Sequence, residues 1–386
     1  MDASLQRVCW NDPFRSSCCS EGNTAGAGLT MPLGRSPQTP QLLLVLVVVV
    51  VVHSTSGPRP CPGPCLCFPA SDLVDCRSRG LDRVPPSLPH GTWLLDLSGN
   101  RVKEVRPNSF AGLWSLKILL MSNNSIFALH PQSLSSQQFL ERLDLSFNRL
   151  RWLPHDFSRS LSSLRELRLD HNLLQHLDAA SLADSDNLRK LDLSYNRIQS
   201  VDARAFGSLS RLRVLGLQGN RLNALPDGLL TGQQALEALR LGHNNISVIE
   251  ADALAPLRAL TLLDLRGNRL VHVKFKTLLK LRTAGTHLQM SGNPWTCDCE
   301  LQRVFGKIQH VRHLRVQDYA DIVCHAPPQQ SGASLASMDS QLCMAETVSV
   351  LVITVTVALA VVGALAKAER NRKSKQAVSE VDSEDK

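Results

Sequence analysis

The 386-residue chain holds none of the common catalytic signatures. No His-Glu-x-x-His sets two imidazoles on one helix face for zinc, no Gly-x-Ser-x-Gly elbow presents a nucleophilic serine, and no phosphate loop occurs. Its 12 histidines are scattered without a metal-ligand spacing. With 42 Lys and Arg against 34 Asp and Glu, the formal net charge is +8, a balance that would permit nucleic-acid binding. The charges are spread along the chain, however, and no finger or recognition-helix motif concentrates them. The chain is therefore expected not to be an enzyme, to hold no cofactor or metal, and to bind no nucleic acid.

What is present is a strict period. Asn100, Asn124, Asn148, Asn172, Asn196, Asn220, Asn244 and Asn268 stand 24 residues apart. Each closes L-x-x-L-x-L-x-x-N-x-[LIV] or a near variant, as in the run from Leu140 through Leu143, Leu145 and Asn148 to Leu150. This spacing is the leucine-rich-repeat signature. Leucines at alternate strand positions point inward together. The asparagine turns the chain out of the strand, where its amide can bond backbone groups left unpaired between stacked turns. An apolar residue recurs in each return segment: Phe110, Leu134, Leu182, Phe206, Leu230, Leu254 and Leu278, with Phe157 one residue early after Pro154. Good helix formers are few between these positions.

The predicted fold is accordingly an α/β-type horseshoe solenoid. A parallel β-sheet lines the concave face, and the convex side is irregular or 3₁₀ rather than helical. Eight repeats occupy residues 91–285, between cysteine-rich caps at 57–90 and 286–343.

Two apolar runs decide the compartment. Residues 42–52 are an 11-residue run of Leu and Val, too short to span a bilayer comfortably. Small residues follow it near Ser56, so residues 1–56 read as a leader with a secretory signal. Met31 with Arg35 also makes an ordinary start, and initiation at either methionine stays open; Cys9, Cys18 and Cys19 then belong to no mature domain. The second run, 347–366, has 20 residues and no charge, enough for a transmembrane helix. Lys367, Arg370, Arg372, Lys373 and Lys375 follow it and mark the cytoplasmic side. A single-pass type I protein of the plasma membrane is expected, with residues 367–386 as the tail. The basic cluster is attracted to anionic inner-leaflet lipids, at roughly 1 kcal/mol per Lys or Arg near the surface.

Eight cysteines bracket the repeats: Cys61, Cys65, Cys67 and Cys76 upstream, and Cys297, Cys299, Cys324 and Cys343 downstream. After a signal peptide, even counts read as disulfides rather than zinc ligands, though spacing alone leaves three pairings open in each cluster. The C-x₃-C-x-C-x₈-C run and the Asn-Pro-Trp-x-Cys-Asp-Cys run at 293–299 resemble the two caps of the extracellular leucine-rich-repeat family that includes Slit, the Nogo receptor and small neuronal adhesion proteins. The resemblance covers residues 61–343. It implies Cys61–Cys67, Cys65–Cys76, Cys297–Cys324 and Cys299–Cys343. It also implies a surface protein that binds a protein partner, in adhesion or as a co-receptor. A second group of similar layout, the auxiliary gamma subunits of large-conductance potassium channels, implies instead a regulatory subunit of a channel.

A partner would meet the concave residues. In the middle repeats, Arg142, Glu166 and Lys190 stand beside Asp144, Arg168 and Asp192, a set that can neutralise itself across strands. Later, Val214, Ala238 and Leu262 form an apolar strip beside Gly216 and Gly242, which are expected to leave room for an incoming side chain. At the strand ends, Phe147, His171, Tyr195 and His243 make an aromatic column that either anchors a partner or packs on neighbouring turns. Asn123 and Asn245 are glycan acceptors. A glycan on Asn123 crowds the early rim and moves the expected site to repeats four to eight.

Overall fold

The computed structural model describes residues 61–338 and 340–384, and the side chains among them outside 339–347 and 374–384. The expected leader and its three cysteines lie outside the described residues. One twelve-stranded sheet runs the length of the repeats. A short antiparallel hairpin, Leu66–Phe68 with Leu73–Asp75, begins it. Every later pairing in this sheet is parallel, through Leu94–Asp96 and Arg142–Asp144 to Leu314–Val316. Partners in the repeats are the residues 24 apart in sequence, so Leu143 lies opposite Leu167 and Leu167 opposite Leu191. The strands are only three residues long because three residues suffice to turn one leucine inward and two side chains outward.

The recurring asparagines, all buried except the half-buried Asn124, clamp successive turns. Asn148 accepts from Ile126 N at 2.9 Å and donates to Met121 O at 3.0 Å and Leu145 O at 3.1 Å, binding its own turn to the one before. Asn172, Asn196, Asn220, Asn244 and Asn268 repeat the arrangement. The inward leucines and the return-segment residues from Phe110 to Leu278 form one continuous buried core.

The convex side consists mainly of single hydrogen-bonded turns such as Leu113 N to Phe110 O, with one four-residue helix, Phe275–Leu278. It also carries three two-stranded parallel ladders, which periodicity did not announce: Glu104–Val105 with Ala128–Leu129, His176–Leu177 with Ser200–Val201, and Ala224–Leu225 with Val248–Ile249. The third repeat takes no part, where Pro154 lacks the N–H that a ladder needs.

Disulfides close both ends. Cys61–Cys67, Cys65–Cys76 and Cys297–Cys324 form as the resemblance implied. Cys299 is also disulfide-bonded, while the side chain of its expected partner, Cys343, lies outside those described. The last turn is covered by helix Cys299–His310, which Asp298 caps by accepting from Leu301 N at 2.8 Å. Its buried face is Leu301, Val304, Phe305 and Ile308. Trp295, fully buried, meets Phe305 edge to face at 5.8 Å and donates to Met290 O.

Beyond the cap, helix Ser340–Glu384 contains the expected span and continues without a break past Ala366. Its segment Val348–Lys373 is long and apolar enough to cross a membrane.

Candidate functional site

The concave face is built by the two outward residues of each three-residue strand. Because the register is parallel, side chains at one repeat position form a row about 4.8 Å apart. In the middle repeats this row is an ion-pair ladder. Glu166 lies between its strand neighbours Arg142, at 3.8 Å, and Lys190, at 3.1 Å. Arg168 reaches Asp144 at 3.5 Å and Asp170 at 3.2 Å. One position earlier, Glu141 pairs with Arg165 at 2.9 Å and Lys117 at 3.7 Å. Burial works against the charge of Arg168, but the carboxylates of Asp144, Asp170 and Asp192 more than offset it and hold its pKa above the usual arginine value. The charges are matched within the chain, each exposed pair contributing about 0.2–1 kcal/mol.

Past the ladder one row of the face becomes apolar, while one position earlier Arg213 still pairs with Glu237 at 3.1 Å. Val214, Ala238 and Leu262 lie directly opposite one another and are half-buried. Arg240 stands exposed at the edge of this strip, and no ion pair holds it among the described residues. The two glycines do not leave the expected space. A Cβ on Gly216 would stand 2.7 Å from Asp192 Oδ1 and 2.8 Å from Ser194 Oγ, and one on Gly242 would stand 3.2 Å from the Asp264 carboxylate. The neighbours' polar side chains fill these slots, because an Asp on one strand can lean over a glycine on the next.

A second apolar group, at the opposite end of the sheet, was visible only as scattered letters. Leu94, Ile118 and Leu120 are half-buried in adjacent strands, and a shallow hollow beside them is lined by Trp93, Lys117, Ile118 and Arg142. Its signal was three aliphatics, Leu94, Ile118 and Leu120, among the four outward positions of the first two repeats, the fourth being Asp96.

At the strand ends, Phe147, His171 and Tyr195 form one stack. The Phe147 and His171 centroids are 4.1 Å apart at 10°, and those of His171 and Tyr195 are 4.6 Å apart at 25°. All three backbones are left-handed, with φ of 53°, 56° and 54°. This conformation is uncommon for bulky residues. The glycines at the same repeat position, Gly99, Gly219, Gly267 and Gly292, share it. His243 does not join the stack, since Gly219 intervenes. Packing on neighbouring turns is thus real, yet Phe147 stays 50% exposed and Tyr195 46%.

Asn123 is exposed in this same column, one turn before Phe147, and Asn245 is half-buried two residues past His243. Lys367, Arg370, Arg372 and Lys373 are exposed on the long helix, with Lys373 at 3.8 Å from Glu369; the side chain of Lys375 lies outside those described.

The comparisons with known proteins agree with this geometry. A leucine-rich-repeat family model matches residues 94–150, 162–222 and 210–270. Human leucine-rich repeats and immunoglobulin-like domains protein 1 is 36% identical over 96 residues, which is 25% of this chain and 9% of that protein. Dog decorin is 33% identical over 121 residues, 30% of this chain and 29% of decorin. Rat leucine-rich repeat-containing protein 3 is 39% identical over 77 residues, 19% of this chain and 30% of that one. The matched segments thus span less than a third of these relatives. In structure, human 5T4 (trophoblast glycoprotein) is similar at a TM-score of 0.55 and 23% identity, covering 73% of this chain and 97% of that one. Toll from the Toll–Spätzle complex gives 0.55 at 22%, covering 65% and 42%. At these identities the two structures speak to the fold alone. Repeat register, capped ends and relatives together make this chain a member of the extracellular leucine-rich-repeat family.

Proposed function

We propose that this chain is a single-pass type I protein of the plasma membrane whose concave face binds a protein partner, in adhesion or as a co-receptor, and that it has no catalytic activity. The observation that carries the reading is the in-register strip Val214, Ala238 and Leu262. It is apolar and half-buried, beside a charge ladder already satisfied within the chain. Burial of such a strip by a partner contributes about 25 cal/mol per Å², and solenoids offer extended concave surfaces of this kind. Toll, a fold neighbour, was solved in a complex with Spätzle. Phe147, His171 and Tyr195 are assigned to the margin of the same surface, and glycans on Asn123 and Asn245 would limit the approach to it. The apolar run 347–366 of the long helix supplies the anchor and the basic residues that follow that run the inward orientation. The test is a screen of the fragment 57–343 against cell-surface proteins. Specific capture of one or more ectodomains is expected; failure to bind any ectodomain or cell type contradicts the reading.

A second reading rests on Lys367, Arg370, Arg372 and Lys373, which project from the helix that carries the span. Such charges alter the potential near a neighbouring channel's gate, as an auxiliary channel subunit would. Co-expression with a large-conductance potassium channel tests it: a shifted activation curve that reverts on neutralising Arg370, Arg372 and Lys373 favours this reading, and an unshifted curve removes it.

A further inference from the structure

The edge where the turns leave their strands carries a row of positive charge that no described side chain pairs with. Immediately after the ladder asparagines stand Arg101, Arg149, Arg197, Arg221 and Arg269, all exposed. Their backbone N–H groups donate to the carbonyls of the preceding turn, from Arg101 N to Leu81 O at 2.7 Å through Arg149 N to Ile126 O at 2.8 Å and Arg221 N to Ile198 O at 2.9 Å. The roots of these side chains are therefore fixed in register by the same ladder that holds the solenoid together. Two residues further along the turn, Lys103 and Arg151 add to the row. Among the described residues none of these seven side chains makes a hydrogen bond or ion pair. The concave bases Lys117, Arg165 and Lys190, by contrast, are held by Glu141 and Glu166. Over eight turns, the positions one before, one after and three after the asparagine contain no Asp or Glu.

Such a row selects an extended anion. Its charges recur at steps of about 4.8 Å or small multiples of it, in a strip one side chain wide. Six of the seven are arginine, whose planar fork holds oxyanions by paired hydrogen bonds where lysine offers a point charge. One exposed arginine contributes little, but a polyanion spanning several releases counterions at each. The two sequons frame the accessible length. Asn245 replaces the arginine between Arg221 and Arg269, and Asn123 precedes Phe147 by one turn. Between them lie Arg149, Arg151, Arg197 and Arg221, with the exposed rims of the Phe147–His171–Tyr195 stack on the same turns. We infer that this edge, from repeat three to repeat six, binds a linear sulfated polysaccharide. An extracellular solenoid meets this class of polyanion at the cell surface, and its sulfates are tetrahedral oxyanions spaced along one chain.

The experiment uses the full-length glycosylated protein in an uncharged detergent, titrated with heparin at several salt concentrations. The wild type is expected to bind near physiological ionic strength, with affinity falling steeply as salt rises. The triple variant Arg149→Glu, Arg197→Glu, Arg221→Glu should lose roughly 30-fold or more, because three ionic contacts are reversed. A concave triple of equal charge change, Lys117→Glu, Lys190→Glu, Arg213→Glu, should lose less than about threefold, since those bases are not in the row. Single variants Arg197→Glu and Arg221→Glu keep the test valid if a triple folds poorly; each should flatten the salt slope by about one ion. Asn245→Gln should tighten binding by joining Arg269 to the row. No heparin binding by the wild type overturns the inference, as does equal loss from the edge and concave triples. Equal affinity for unsulfated hyaluronan overturns the sulfate assignment, and tighter binding of anionic vesicles or RNA through the same arginines overturns the polysaccharide assignment. Loss of heparin binding with retained binding to a protein ectodomain separates this edge from the concave site.

Discussion

The ring of Tyr195 lies over Gly219, so that a Cβ at Gly219 would stand 2.5 Å from the ring's Cδ1. Gly219 also has a φ of +68°, a conformation most side chains resist. Gly219→Ala therefore meets two obstacles, a ring that must move and a left-handed backbone. A loss of about 1–3 kcal/mol is expected from chemical denaturation of the secreted fragment. Part of it should vanish in a Tyr195→Ala background, because the ring is then gone. Additive effects of the two changes would show that the ring and the glycine are not coupled.

Asn148→Ala should cost several kcal/mol. Its amide satisfies Ile126 N, Met121 O and Leu145 O, and each buried group left unpaired costs about 1–3 kcal/mol. Hydrogen exchange should quicken first in the turns on either side, because a solenoid is held by nearest-neighbour contacts. Asn245→Gln removes a proposed glycan acceptor rather than a clamp, and should change mobility on a gel with little effect on the denaturation midpoint. A similar midpoint for Asn148→Ala and the wild type would contradict the clamp.

The C-terminal cap gives a pH dependence. Burial raises the Asp298 pKa, but the Leu301 N–H and the His272 ring outweigh it and hold the pKa below the ordinary aspartate value. A depressed folded pKa contributes stability at pH above the unfolded pKa and loses it as pH falls through the folded value. Asp298→Ala should be less stable than the wild type at pH 7 by about 0.5–2 kcal/mol, the cost of a lost N-cap. The charge-linked part of the gap should narrow as the pH is taken below about 3.9. A gap that is unchanged from pH 7 to pH 2 would assign all of it to packing.

Much of this molecule is legible in its residues, and the limits have physical causes. The 24-residue period gives the register, because a parallel ladder in a solenoid pairs each residue with its counterpart one repeat away. The clamp is legible for the same reason, since an amide at the end of each strand finds the carbonyls of two turns. The pairing of Cys61, Cys65, Cys67 and Cys76 came from resemblance, as spacing alone left it open. The column pattern misleads at Gly216. A column assigns each side chain to its own strand, whereas Asp192 leans across to fill the space. The stacking of Phe147 on His171 depended on left-handed φ values at non-glycine positions, which no composition signals. The small convex strands are two residues long, too short for an alternation to register.

The central claim, that the repeats bind a protein partner through the strip on the later strands, is tested most directly by one titration. An ectodomain captured by fragment 57–343 is titrated against the wild type and against Val214→Arg and Leu262→Arg, each checked for unchanged secretion and melting temperature. An unpaired charge replacing a buried aliphatic contact adds a desolvation cost. Each variant should lose at least roughly 30-fold in affinity, about 2 kcal/mol at room temperature. Wild-type affinity in both variants would contradict it and move the site off the strip.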